Sequence, residues 1–566
     1  MTIEIYSATE KLIEYAKEHF HNKDLDLIKQ AYEFAEAHYA QVDHPLGMPY
    51  IEYASGMAIM LGDLLHDPIM VSVAILYPPP PVSRKVLDDL RACFKLENRL
   101  VNLVEETLYL SRFELNPWLM TAKQNDFKER KEILQKMFRL TIEEGISEHP
   151  RQQTTAFFQS REKQTENLIR MFIDLITDVR ALLLRLADLL YFIKLLKDSS
   201  PEQKQFLQYT LFAKLAITVY APIADRLGNW PLKSKLEDMA FRLLERDKYM
   251  AIAKQLADKQ REREDYIAQT VIPAIENRLN EFDIKAKLFG RPKHIYGIYQ
   301  KMQTKQVAFE HINDLLGIRI LVETVKDCYS AQEVIHMFWS PVREFYGGEV
   351  GRDWIANPKA NGYQSLHTTI YFDDKKVEIQ IRTHEMDEIA EYGIAAQHWL
   401  YKDNKTYRKG RTPKVTRLKD QNWSKKLESL RRSLANKQLS PETKNEQLSS
   451  EAKQEGLLRD RIFVITPKGH VIDLRVGATP LDFAYRIHTD LGHQYSGAKI
   501  NGQLVHLDYA LRTGDIIELF TSRPNKSPSR DWLSQKKDEA GNSHYVYAQT
   551  SQARSKIRHQ LKKQKR

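Results

Sequence analysis

The sequence predicts a multidomain chain with an all-α N-terminal region, a central α/β domain and a small β-rich module near its C-terminus. Three observations predict this. Residues 5–256 carry apolar side chains at helical spacing, with few strand-like alternations. Residues 317–324 (GIRILVET), 326–339 (KDCYSAQEVIHMFW) and 376–383 (KVEIQIRT) then read as strand, helix and strand. From 461 to 522, short alternating runs surround turn residues. At 566 residues the chain exceeds what one core organises.

Composition narrows the class. The chain is 42% hydrophobic, enough for globular folding. Its formal charge of +10 and pI near 9.1 suit an anionic partner, although a solvated basic surface gives the same numbers. The excess concentrates in residues 554–566 (RSKIRHQLKKQKR), a candidate RNA contact. Two cysteines, Cys93 and Cys328, exclude a disulfide framework and a cysteine-built zinc module, and fit a reducing compartment. The first residues show no basic-then-apolar signal pattern. The most apolar stretch, 174–197, is interrupted by Asp178, Arg180, Arg185, Asp188 and Lys194, so it reads as a buried helix and not a membrane span. A cytoplasmic protein with no membrane partner is expected.

In chain order, the proline run 78–81 must interrupt the first helices. Residues 257–285 continue as a charged helical segment toward the sheet. Residues 402–456 are polar and lysine-rich, as in a linker. Residues 461–474 (RIFVITPKGHVIDL) predict two strands around a Pro-Lys-Gly turn, and 513–521 (TGDIIELFT) predict a final strand.

The chemistry gathers in the middle. Residues 354–367 (WIANPKANGYQSLH) read as a loop carrying Lys359, Asn361, Tyr363, Gln364 and His367. In the following VEIQIR run, a period of two puts Glu378, Gln380 and Arg382 on one face of a half-buried strand. This combination suits a charged, ring-bearing ligand such as a nucleotide. In 290–302 (GRPKHIYGIYQKM), a helix entered near Pro292 would align Lys293, Gly297 and Lys301, with Arg291 at its entrance as a phosphate site. Asp314 precedes a strand that carries Arg319. With Glu378 it could hold a magnesium ion, which takes few carboxylates and completes its shell with water and phosphate. Alternatively, Asp314 turns the chain.

The ordered motifs GRPKHIY, DLLGIRILV, DCYSA, IANPKANGYQSLHTT, VEIQIRT and AEYGIAA resemble the synthetase domain of the RelA/SpoT family, and the similarity extends upstream through residues 220–244. The resemblance implies an α/β nucleotidyltransferase-like fold that moves the β,γ-pyrophosphate of ATP onto the 3′-hydroxyl of GDP or GTP, giving (p)ppGpp, the alarmone of the stringent response. It implies Arg291, Lys293, Lys301 and Arg319 as ATP phosphate clamps, and Asp314 and Glu378 as Mg2+ ligands. Glu378 would also be the general base and Tyr363 the ring stacked on guanine, with Lys359, Asn361, Gln364 and His367 orienting the acceptor. Gly297 stands where the family usually has serine. Val350-Gly351-Arg352-Asp353 matches neither charged signature tied to acceptor preference, and Gln397 is an insertion before His398.

Relatives carry a helical HD-type hydrolase domain that binds manganese. Here the metal pair aligns with Tyr77-Pro78, and a His-Asn pair aligns with Tyr191-Phe192; Asp188 is kept. A degenerate domain is expected. The literal His66-Asp67 pair reads as a decoy, against a residual metal site built from His38, His44, His66 and Asp67. Residues 461–522 resemble a TGS domain, a small β-grasp-like module, with His488 and His493 as candidate contacts for uncharged tRNA on the ribosome, or else packed at a strand–helix corner. The expected division is 1–200 hydrolase-like, 201–402 synthetase with helical lead-in, 403–456 linker, 457–523 TGS and 524–566 basic tail. Two rival functions stay open: a catalytically weak tRNA- or ribosome-binding stress regulator, and a bifunctional synthetase/hydrolase.

Overall fold

The computed structural model describes residues 8–79, 82–113, 161–201, 209–258, 265–290, 294–309, 316–342, 351–359, 361–393, 461–522, 527–537 and 543–564, together with residues 132, 135, 136, 427 and 431. The chain forms two compact units, residues 1–100 with 183–420 and residues 101–182 with 421–566. Residues 101–182 thus cluster with the C-terminal module, a grouping that helical periodicity does not reveal.

The first unit opens with helices α1 (Ala8–His19), α2 (Asn22–Tyr39), α3 (Tyr50–Leu65) and α4 (Pro68–Leu76). Asp67 caps α4 by accepting from the Ile69 amide at 2.9 Å, and Pro68 starts the helix where no amide is needed. The helix stops at Leu76, just before the proline run. Helix α5 (Arg161–Leu175) belongs to the second unit, and α6 (Arg180–Leu196) contributes its residues from Leu183 onward to the first.

His44 is buried in this unit and stacked on Tyr53, with ring centroids 3.9 Å apart. Burial pushes its imidazole down to about 3. The folded state therefore keeps His44 neutral, while the unfolded chain takes up a proton below about pH 6.5. Stability is full above that pH and falls as pH drops toward the folded value. At pH 4 the expected loss is about 3 kcal/mol relative to pH 7. Urea titrations at the two pH values measure it, and His44→Phe should flatten the difference.

A helical lead-in that runs to Glu281 includes α7 (Ala221–Arg226) and α8 (Trp230–Leu244), the latter capped by Asn229, which accepts from the Leu232 amide at 3.0 Å. Five strands follow: β1 (Ala286–Gly290), β2 (Leu316–Val322), β3 (Arg352–Asp353), β4 (Leu366–Phe372) and β5 (Lys375–Thr383). They form one sheet in the order β1-β2-β5-β4-β3. Only β2 and β5 run parallel, joined through a crossover that includes α10 (Val325–Phe338); α9 (Ile295–Lys305) lies between β1 and β2 in sequence. Ile318, Ile320, Val322, Val377, Ile379 and Ile381 pack with Ala331, Val334 and Ile335 of α10. Each such fully buried aliphatic side chain contributes about 1.5–3 kcal/mol.

Strands β1, β3 and β4 were not expected. In β4 the run Thr-Thr-Ile-Tyr-Phe is strand-like, and Asp373 and Asp374, with φ of 43° and 62°, form the two-residue turn of a hairpin to β5. His367 consequently sits on a strand and not in the loop. Helix α11 (His384–Tyr392) leaves β5 directly, with Thr383 as its cap, and packs against β2 and β5. The polar side of β5 is therefore covered, and Gln380 and Arg382 are buried instead of half-exposed.

In the second unit, β6 (Arg461–Ile465) and β7 (Val471–Arg475) pair as the expected hairpin. Helices α12 (Pro480–Ile487) and α13 (Thr489–His493) precede β8 (Tyr495–Ile500), β9 (Gln503–Val505) and β10 (Ile517–Thr521), which form a second sheet. A parallel bridge from Ile465 to Ile516 joins the two sheets as in a β-grasp. Helix α5 packs on the hairpin: Gln164 accepts from the Val471 amide at 3.0 Å, and Asn167 donates to its carbonyl at 2.9 Å.

The expected basic tail is a folded extension. It forms β11 (Gln535–Lys537), β12 (Ser543–Tyr545) and α14 (Ser551–Lys563). Ala553 and Ile557, four residues apart on α14, are buried against Leu481, Tyr485 and Trp532, which the charge count concealed. Among the described residues, no helix is long and apolar enough to cross a membrane.

Candidate active site

Register decides which side chains share the polar face of the five-stranded sheet. Gly317 pairs with Glu378, Arg319 with Gln380 and Leu321 with Arg382. On the other side, His367 pairs with Gln380 and Thr369 with Glu378. Paired residues project to the same face, so Arg319, Glu378, Gln380, Arg382 and His367 converge from three strands. The opposite face is the aliphatic core.

Glu378 is 15% exposed, and His367 Nδ1 lies 3.9 Å from its Oε1. His367 Nε2 meets the Tyr363 hydroxyl at 2.7 Å. The Lys359 ammonium stands 4.8 Å from the Tyr363 ring centroid and 4.9 Å from that of Trp354. The Arg382 guanidinium is 5.8 Å from the Tyr363 centroid, and burial pushes it down from its ordinary value. Lys359, Tyr363, His367 and Glu378 therefore form a continuous chain of contacts. Arg319 bonds to Asp387 and Glu391 of α11. Its Nε and that of Arg382 are buried without a hydrogen-bond partner among the described residues. Orphaned guanidinium donors of this kind suit a phosphate oxygen.

Other expected residues serve the scaffold. Asn361 donates to the Asp225 carbonyl at 2.9 Å, and Gln364 donates to the Ile355 carbonyl at 3.2 Å, so both tie down the loop. Helix α11 ends at Gly393, with φ of 57°, against the backbone of 227–229; a Cβ there would lie 2.2 Å from the Leu227 carbonyl oxygen. Lys301 lies on α9. Asp314, Arg291, Lys293 and Gln397 lie outside the described residues.

The expected entry of this helix near Pro292 needs correction. The helix begins at Ile295, later than expected, and Lys293 lies outside the described residues. Its first amides are already bonded. Asp238 of α8 accepts from Ile295 at 3.3 Å and Tyr296 at 2.8 Å, and His294 accepts from Gly297 at 3.0 Å. A protein carboxylate thus holds the anion position. A Cβ at Gly297 would stand 2.8 Å from the His294 ring, so the glycine makes room for that cap.

In the N-terminal helices, the position aligned with the hydrolase metal pair holds a different network. Arg185 Nη1 donates to the Tyr77 hydroxyl at 3.2 Å and to Asp188 Oδ2 at 2.6 Å. Tyr53 donates to Asp188 Oδ1 at 2.6 Å, and Tyr50 to the Tyr77 carbonyl at 2.6 Å. Tyr191 fits over Gly56, where a Cβ would come 1.8 Å from its hydroxyl. His66 ends α3 in a left-handed conformation and Asp67 caps α4. His38 contacts the Phe34 carbonyl and Asp89, while His44 stacks on Tyr53. Each member of the alternative metal set thus has a separate local role. In the C-terminal module, His493 Nδ1 meets the Tyr485 hydroxyl at 3.0 Å, and burial pushes its imidazole down. His488 caps α13.

The description "Region found in RelA / SpoT proteins" matches residues 290–406, which include the polar sheet face; the HD domain matches 31–230 and the TGS domain 462–521. These three modules follow one another along the chain and define a multidomain protein with an HD domain, a RelA/SpoT region and a TGS domain. The chain belongs to the RelA/SpoT family. It is 33% identical over 545 residues to the GTP pyrophosphokinase of Myxococcus xanthus, covering 96% of this chain and 61% of that one. It is 32% identical over 559 residues to the guanosine-3′,5′-bis(diphosphate) 3′-pyrophosphohydrolase of Aquifex aeolicus, covering 98% and 67%. With the GTP pyrophosphokinase of Escherichia coli K12 the identity is 39% over 407 residues, covering 71% and 50%. The chain spans about three fifths of the length of the first of these relatives.

Proposed function

We propose that this chain is a (p)ppGpp synthetase, transferring the β,γ-pyrophosphate of ATP to the 3′-hydroxyl of GDP or GTP. The observation that carries the reading is the polar sheet face, where Glu378 and two partly unsatisfied guanidiniums meet a ring-and-lysine loop. The acceptor base stacks on Tyr363 beside Lys359. Its 3′-hydroxyl lies near Glu378, which takes the proton as the oxygen bonds to the β-phosphorus and AMP leaves. Arg319, with Arg291, Lys293 and Lys301, neutralises the ATP phosphates. His367, between Tyr363 and Glu378, fixes the ring relative to the base.

The carboxylate of Glu378 fits a magnesium ion, which uses few protein ligands, and Asp314 is its proposed companion. When bound, the ion supplies charge neutralisation on the transferred group. We assign no hydrolase activity to the HD domain. Arg185 and Tyr53 already satisfy Asp188, and proline and tyrosine replace the metal pair. Uncharged tRNA and the ribosome are proposed partners of the TGS domain, the cytoplasm is the proposed location, and the boundaries expected from sequence are kept as proposed module limits except where residues 101–182 and the folded extension group with the C-terminal module.

The test incubates purified protein with labelled ATP, magnesium and either GDP or GTP. Formation of ppGpp or pppGpp is the expected result, and the preferred acceptor follows from it. No product, even with ribosomes and uncharged tRNA added, would instead support a binding regulator.

A further inference from the structure

Helix α11 aims one acidic face at both arginines of the sheet. Asp387 and Glu391 are four residues apart, so they lie on the same side of the helix. Arg319 Nη1 is 3.1 Å from Asp387 Oδ1 and 2.7 Å from Glu391 Oε1. Arg382 Nη2 is 2.5 Å from the same Asp387 oxygen and 3.8 Å from the same Glu391 oxygen. Two cations thus share two anions. Arg319 and Arg382 come from neighbouring strands on the same face, and Arg382 is 2% exposed. Without the carboxylates, two guanidiniums would repel each other in a poorly hydrated place. Arg382 in turn packs beside Tyr363.

We propose that Asp387 and Glu391 are positioning residues that couple the donor and acceptor subsites. On the donor side they hold Arg319; through Arg382 they hold the ring that receives the acceptor base. Donor phosphates draw Arg319 away from the shared carboxylates. Asp387 and Glu391 then turn fully to Arg382 and steady Tyr363, so donor binding tightens acceptor binding, and the reverse by linkage. This inference rests on the proposed synthetase function.

The test is calorimetric titration of GDP into the full chain with magnesium, with and without saturating α,β-methylene-ATP, which cannot transfer its pyrophosphate. In the wild type, the analogue should lower the GDP Kd about fivefold or more. In Asp387→Asn/Glu391→Gln, GDP should still bind and the ratio should fall to about one. Circular dichroism checks the fold of the double variant. If it does not fold, Glu391→Gln alone carries the test, because Asp387 still bridges both arginines; its ratio should be reduced. An unchanged ratio in the folded variant, or no coupling in the wild type, overturns the proposal while leaving the synthetase reading intact. If neither nucleotide binds the wild type, both fall.

Discussion

Replacing Glu378 with glutamine should lower pyrophosphate transfer about a thousandfold without unfolding the protein. Glutamine keeps the length and planar end of the side chain but loses the charge and the basic oxygen. The backbone at 378 is held on both sides, by Gly317 of β2 and Thr369 of β4, so the strand should not move. The loss should fall on kcat, because a proton acceptor acts only as the new bond forms. Steady-state kinetics with ATP and GDP measure it, and a thermal melt controls for folding. Activity within tenfold of wild type would remove Glu378 from the role of base. Although the same carboxylate is the proposed magnesium ligand, raising magnesium should recover little of the lost rate, because it cannot replace the missing base.

A second large effect is expected in the other compact unit. Asp482 is 1% exposed and accepts five hydrogen bonds. Two come from Thr479, as the capping box of α12, at 3.0 and 3.1 Å. Three come from the folded extension: the Gln549 amide at 3.0 Å and the Thr550 amide and hydroxyl at 2.8 Å each. Asp482→Ala would strand three backbone amides in a dry place, at about 1–3 kcal/mol apiece before relaxation. A loss of about 4 kcal/mol in the C-terminal module is expected. Urea unfolding measures it, and faster proteolysis between residues 537 and 551 should accompany it. Asp482→Asn should cost roughly half as much, because the amide still offers one accepting oxygen.

Much of this architecture was legible in the sequence where a local pattern sufficed. The period of two in VEIQIR marked β5 and its polar face, and the Pro-Lys-Gly turn marked the β6–β7 hairpin. Strand β4 was missed because the chemistry-bearing segment ends inside it, and a motif dense in asparagine and lysine reads as loop. The start of α9 was misread for a different reason. Its anion is Asp238, 57 residues from Ile295 in sequence, and no local spacing records that contact. Asn361 and Gln364 present the same difficulty: their polar ends look ready for a ligand, yet they meet backbone carbonyls. The role of Asp387 and Glu391 also depended on α11 folding back over the sheet. Folding of the basic C-terminal residues was hidden because Ala553 and Ile557 are few among many charges.

The close approach at Gly393 bears on how this chain can be cut. The end of α11 meets residues 227–229 backbone to backbone, and Asn361 fastens the loop before β4 to Asp225 beside it. The turn before α8 is therefore an abutment for the five-stranded sheet, although it lies more than 50 residues before β1 in sequence. A fragment trimmed to the sheet and its crossover helix would leave both the loop and α11 unsupported. A minimal piece that keeps the sheet supported has to begin upstream of α7.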